Sequence, residues 1–395
     1  MPESLVQRRM PELDFWRGLA IASVLLYHAI YWSCSSQPNR FAEWLTQSTV
    51  YGWLGVNLFF VLSGFLITGI LLDSKGRPGY FRSFYGRRAR RIIPAYLLCL
   101  VLLSLFQMVS IGGLLRAVTF TANYDLLPAA RSYAPFWSLS VEEQFYLAWP
   151  AIVLLAGRRT LTGICLAVCL SEPLLRFIAS VHGGGLYDGL IIHGTPFVAD
   201  SLGLGALGAL HFRSRWAGRG SSTLLSSGLA LVACVVFLVG YPHGLLHRAH
   251  PIGAALQVVP FNLFFAAVIF ASVGRKPQVL SGNITRPVRA LGDISYGLYL
   301  YHLIVFSIYD RLLPAETYFG RFGALLVRAL VCATASIVMA WISRWKFEEF
   351  FLRRKTAQQA RSGALSASKT DARHRAPDEA SPPPRLEPNA NGEGV

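Results

Sequence analysis

The sequence predicts an all-α protein, a polytopic transmembrane helix bundle of about ten helices. Three observations carry that expectation. The 395 residues are 53% hydrophobic and only 15% charged, with a mean hydropathy of +0.43. A soluble chain of that length would have too little polar surface to cover itself. Apolar runs of about 20 residues recur between Arg, Gly and Pro, and as helix such a run crosses a bilayer core. The basic residues fall in short clusters between the runs, which is the pattern that membrane topology produces. The net charge of +16 is therefore not read as a nucleic-acid surface, and the expected partner is the lipid bilayer.

The expected spans are 13–32, 51–72, 92–110, 140–156, 160–181, 194–211, 223–240, 252–273, 290–309 and 322–343. Arg8 and Arg9 precede the first run, but that run is too long for a signal-peptide core and lacks a small-residue cleavage site. It is expected to stay as the first helix. The connection 111–139 is expected to hold an interfacial or re-entrant piece. From about Thr356 the chain turns to Ser, Ala, Pro and charge, so 356–395 is expected as a disordered cytoplasmic tail behind one membrane domain, 1–355. No internal repeat is evident.

With the N-terminus in the cytoplasm, 24 Lys and Arg fall on the inner side, while Arg40, Arg116, Arg131, Arg176, Arg248, Arg311 and Arg321 are left outside. That asymmetry places both termini in the cytoplasm. The six cysteines lie mostly within apolar segments, and Cys165 and Cys169 are i, i+4 neighbours without an accompanying metal-ligand pattern. They read as packing residues, and no metal or disulfide is expected.

Candidate chemistry starts in the first helix, LDFWRGLAIASVLLYHAIYW, where Arg17 and His28 are eleven residues apart, roughly 16 Å along a helix. A histidine inside a membrane is costly and marks a functional position. In the second helix Asn57 should lie at a depth similar to His28, and Ser63 and Gly64 suit close helix packing. The cluster FYGRRARRIIPAYLL leads into the third helix. On one reading its arginines are a topology signal. On the other, Arg87, Arg88, Arg90 and Arg91 join Arg17 in a cytoplasmic phosphate site, because guanidinium binds phosphate bidentately. FWSLSVEEQFYLAWP opens the fourth helix, where Ser140 and Glu143 have capping-box spacing and Glu142 is left for a polar cavity. Asp200 and His302 are further polar residues within apolar runs, open to either a packing or a functional role. His28, Asn57, Glu142, Glu143 and His302 are all expected towards the outer half of the membrane, above the arginines. A phosphate anchor at one end and acid–base groups at the other suit transfer from a phosphorylated carrier.

Five stretches in order resemble the membrane-bound acyltransferase-3 family, which includes O-acetylases of bacterial surface polysaccharides. They are Leu13 to His28, Gly55 to Phe65, Arg88 to Pro94, Trp137 to Leu147 and Ser295 to His302, and the resemblance runs to about Trp345. It implies an integral protein of the bacterial cytoplasmic membrane. The implied activity is transfer of an acyl group, usually acetyl, from acetyl-CoA or another acyl-CoA to a hydroxyl of a saccharide or other small acceptor, without a metal. By the same resemblance His28 is the base, Glu142 and Glu143 are the acidic pair, and Arg17, Arg88 and Arg91 serve the CoA side. Asn57, Ser63, Asp200, Tyr296 and His302 take substrate or supporting positions. The chain departs from the family pattern at Asn57, often acidic, and at Val198, often Arg. It also shows no extracytoplasmic hydrolase-like domain such as some relatives carry. The alternative class is a proton-coupled secondary transporter, since intramembrane His and Glu suit proton relay, although many transporters carry internal repeats.

Overall fold

The computed structural model describes residues 10–31, 40–124, 133–182, 191, 193–214, 218–247, 250–275, 278–313 and 322–352. All regular structure among them is helical. Residues up to Glu348 form one compact unit, and of the remainder only 349–352 are described, as helix. Thirteen α-helices of more than one turn lie among the described residues of the unit. They are α1 (Pro11–Leu26), α2 (Arg40–Thr49), α3 (Gly55–Ser74), α4 (Tyr80–Leu105), α5 (Ile111–Val118), α6 (Phe136–Leu155) and α7 (Arg158–His182). After these come α8 (Asp200–Phe212), α9 (Arg219–Gly240), α10 (Pro251–Leu256), α11 (Val259–Arg275), α12 (Arg286–Leu312) and α13 (Phe322–Ile342).

Each expected span meets at least one of these helices, although 252–273 is divided between α10 and α11 and α8 takes up 194–211 only from Asp200. The protein is a polytopic helical membrane protein. Seven described helical segments are long and apolar enough to cross a bilayer. The exceptions are α4, α6 and α8. The arginines occupy the first turns of α4, and Glu142 and Glu143 interrupt α6. Helix α8 has 13 residues, about 20 Å of helix against a core of about 30 Å. Helices α4 and α6 thus fall short because of candidate polar residues and α8 because of its length, whereas α1, α3 and α12 carry candidate residues and are still apolar enough.

Helix α1 starts with Pro11 at its first position and with Glu12 and Asp14 in its first turn, where a fixed φ and negative charge both favour a helix N-terminus. It runs beside α12 in the same direction, with backbones in contact. A Cβ on Gly18 would fall 1.8 Å from the Val288 carbonyl oxygen, and one on Gly292 would fall 2.0 Å from that of Asp14. Only glycine permits this approach, and it sets Arg17 and His28 in register with α12. Gly64 and Gly205 bring α3 and α8 together in the same way. The turn between α3 and α4 uses Gly76 and Gly79 at φ of 76° and 72°, a left-handed conformation that favours glycine.

Two basic residues at the arginine end bind helix C-termini. Lys75 Nζ donates to the carbonyls of Val153 and Ala156 at 2.7 and 2.8 Å. Arg158 donates to those of Leu210 and Arg213. Such carbonyls lack intrahelical donors and carry partial negative charge.

Several expectations are corrected. The arginine cluster lies within α4, which starts at Tyr80, rather than at the mouth of a helix that starts near residue 92. Helix α6 starts at Phe136, a turn earlier than a capping box requires, with Pro135 at its N-cap. Ser140 is therefore interior and bonds back to the Phe136 carbonyl at 2.8 Å, so Glu143 has no capping role. Arg176 is not a loop charge but is buried in α7. The described part of 111–139 forms α5 and a 3-10 turn, with Ala117, Ala122 and Asn123 buried. Gln144 of α6 holds it by donating to the Phe120 carbonyl and Asn123 Oδ1 at 2.7 and 3.0 Å. The expected tail, 356–395, lies outside the described residues.

Candidate active site

A cleft of about 820 Å³, partly open at the surface, runs between α1, α3, α4, α6 and α12. Its polar lining includes Arg17, Arg88, Arg91, Ser63, Glu142, Tyr146, Ser138, Tyr296 and Tyr299. Helical spacing explains the choice of arginines. Arg88 and Arg91 are three residues apart and share one face of α4, whereas Arg87 is exposed and bonded to Ser83. The Arg88 guanidinium lies over the Tyr146 ring, 4.8 Å from its centre. Arg17 approaches Asp14 at 3.7 Å.

Glu142 faces these arginines rather than the histidines. Ser63 Oγ donates to its Oε1 at 2.6 Å, and the Tyr146 hydroxyl lies 3.1 Å from both Glu142 Oε2 and Ser63 Oγ. Gly64 makes the close helix contact, and Ser63 belongs to the cleft. Glu143 does not line the cleft, and its Oε1 is buried without a hydrogen-bond partner among the described residues. The Tyr296 hydroxyl donates to the Ile92 carbonyl at 3.2 Å, tying α12 to α4 beside Arg91.

At its other end the cleft reaches Tyr299, whose hydroxyl lies 2.5 Å from Ser138 Oγ. The Tyr299 ring is 5.9 Å from that of His302, which in turn is 5.0 Å from His28. His28 sits on a π-helical turn, Tyr27–Tyr31, that closes α1. Such turns are rare and concentrate at functional sites. Arg328 of α13 braces this turn from behind. It pairs with Asp310 at 2.6 Å and donates to the Ala29 carbonyl at 3.5 Å.

Asn57 and Asp200 belong elsewhere. Gly55 packs on Ala20, Ser23 and Val24, so Asn57 is displaced from His28 towards the arginine end. Asn57 Nδ2 donates to Asn262 Oδ1 at 2.9 Å, and Asn262 Nδ2 donates to Asp200 Oδ1 at 3.1 Å. Arg176 donates to Asp200 Oδ2 at 2.9 Å and to the carbonyls of Phe197 and Ala255. Glu172 Oε2 accepts from the Asp200 backbone N–H at 2.6 Å. This buried network cross-links α3, α7, α8, α10 and α11.

The acyltransferase-3 model, described as an acyltransferase domain, matches residues 10–345 and so contains the cleft and both histidines. The chain belongs to the acyltransferase-3 family. Among its relatives is YrhL of Bacillus subtilis, provisionally named a peptidoglycan O-acetyltransferase. The two are 30% identical over 335 residues, 75% of this chain and 48% of the relative. The peptidoglycan O-acetyltransferase OatA of Listeria monocytogenes is 27% identical over 338 residues, 76% of this chain and 50% of the relative. The O-acetyltransferase OatA of Staphylococcus aureus is 26% identical over 400 residues, 90% of this chain and 61% of the relative. The chain thus spans about half to three-fifths of the length of these relatives. No solved structure matches it.

Sequence reasoning passed over Tyr299, Arg176, Glu172, Asn262 and Arg328. Tyr296, Tyr299 and His302 are spaced by three, a stripe along one helix face that could have identified Tyr299. Glu172 and Arg176 have the i, i+4 spacing of a helical acid–base pair inside an apolar run.

Proposed function

We propose that this acyltransferase-3 family member transfers an acetyl group from acetyl-CoA to a saccharide hydroxyl, with the arginine end of the cleft facing the cytoplasm. The observation that carries the reading is the cleft itself. It gathers three guanidinium groups around one carboxylate, Glu142, and reaches to Tyr299 beside the paired histidines. Partly buried cations in excess of their acids favour an anionic ligand, and the phosphates of a nucleotide-bearing thioester supply one. The names of the relatives support a hydroxyl of peptidoglycan as the acceptor.

In the proposed reaction the acyl carbon lies near His28. The acceptor oxygen forms the new C–O bond as its proton passes to the imidazole. The C–S bond of the thioester breaks, and the thiolate leaving group recovers the proton. Family membership favours this chemistry over proton-coupled transport.

Arg91→Ala is expected to weaken acetyl-CoA binding about 10- to 100-fold, the weight of one charge-assisted hydrogen bond. Lys at 91 should recover only part, because it lacks the planar fork. Arg87→Ala, on the exposed face, should leave binding unchanged. Donor titrations of the purified variants measure this, and an Arg91→Ala protein with parental donor dependence would reduce the cluster to a topology signal.

Orientation has its own test. A phosphatase reporter that works only outside the cytoplasm, fused at the C-terminus, is expected to stay inactive. An active fusion would reverse the proposed orientation.

A further inference from the structure

His302 is fully buried and does not line the arginine cleft. Its Nδ1 lies 2.8 Å from the Tyr299 carbonyl oxygen and 3.1 Å from that of Leu298. Carbonyl oxygens only accept, so this nitrogen carries a proton. In the neutral ring the other nitrogen, Nε2, then holds a lone pair. That Nε2 lies 3.3 Å from Nδ1 of His28, which is also 3.0 Å from the Val24 carbonyl oxygen. Both of these neighbours of His28 Nδ1, the Val24 carbonyl oxygen and His302 Nε2, are therefore acceptors. A lone pair there would face two others, so His28 Nδ1 must carry a proton as well. Its own lone pair is left on Nε2.

We propose that His302 is a positioning residue that fixes His28 as the Nδ1–H tautomer and so presents Nε2 as the base. The inference rests on the reading of His28 as the base of the transfer. The chain of contacts starts at the backbone of α12, where two carbonyls fix the His302 tautomer, and His302 passes that choice to the π turn of α1. The parallel α1–α12 contact through Gly18 and Gly292 holds the two rings in register. His302 exchanges no proton with the acceptor. It determines which nitrogen can.

The test uses the full-length protein labelled with ¹⁵N on histidine, because ring ¹⁵N shifts separate protonated from lone-pair nitrogens. The His28 signals are identified by their loss in His28→Gln. In the parent protein His28 is expected with its proton on Nδ1. In His302→Leu only the Val24 carbonyl still faces Nδ1, so part of the population should move its proton to Nε2. The same variant should lose kcat in proportion to the fraction of His28 moved off the Nδ1–H tautomer, short of the roughly 10²-fold or more that a lost base costs, while KM for acetyl-CoA stays unchanged. His302→Gln keeps an acceptor oxygen for His28 Nδ1 and should recover the Nδ1–H tautomer and part of the rate. A parent His28 protonated on Nε2 overturns the proposal. So does a His302→Leu protein with the parental tautomer, whatever its rate. A displaced tautomer with undiminished transfer upholds the positioning contact and instead overturns the assignment of His28 as base.

Discussion

His28→Gln is expected to lose acyl transfer while inserting normally and still binding acetyl-CoA. Glutamine can replace a hydrogen bond to the Val24 carbonyl, which His28 Nδ1 approaches at 3.0 Å, but it cannot accept and return a proton near neutral pH. General-base catalysis typically contributes roughly 10²- to 10⁴-fold, and the single-turnover rate should fall by about that factor. Donor binding should survive because the arginines lie in a cleft that His28 does not line. The informative measurement is a pair: donor affinity and single-turnover transfer on the same purified protein. Near-parental transfer would remove His28 from the chemistry and shift attention to Glu142, which already bonds Ser63 within the cleft. Loss of binding together with transfer would point instead to a general disturbance of α1.

The long-range outline of this protein was legible in its sequence because hydropathy acts locally. Each apolar run must satisfy its own backbone as helix, whatever its neighbours are. The pairing of Arg17 with Arg88 and Arg91 in one cleft was also within reach, since buried guanidinium groups need anions. What one sequence does not reveal is which helix face meets which partner. Asn57 and His28 have similar expected depths, yet the contact of Gly55 with Ala20 and Val24 separates them, and Asn57 bonds Asn262, 205 residues away. Glu142 turns from the histidines to the arginines for a comparable reason. Starting α6 at Phe136 extends the helix a turn beyond the expected start, so the acids lie deeper than a cap would place them. Arg176 was misread through topology counting alone, which assigns every basic residue to a loop and so overlooks one that crosses the bilayer with its own acid.

That misreading leads to the largest expected effect on stability. Arg176 is 2% exposed, and Asp200, its partner, is 4% exposed. Two carboxyl groups, Asp200 and Glu172, face this one guanidinium, which also satisfies the Phe197 and Ala255 carbonyls. Removing one member of a buried ion pair typically costs about 3–5 kcal/mol because the other is left uncompensated. Arg176→Met is therefore expected to destabilise the protein by about that amount, read as a lower unfolding midpoint in detergent. Asp200→Asn removes the opposing charge, and its effect in the Arg176→Met background should be smaller than in the parent, since residues in one network are not additive. Asn57→Leu loses a single amide bond at the edge of the network and should cost only about 1–3 kcal/mol. The order of these three costs tests the network as a brace between α7 and α8. If Arg176→Met instead melted like the parent but failed to transfer acetyl groups, the network would belong to the reaction, and Asp200 would have to be placed beside the substrate.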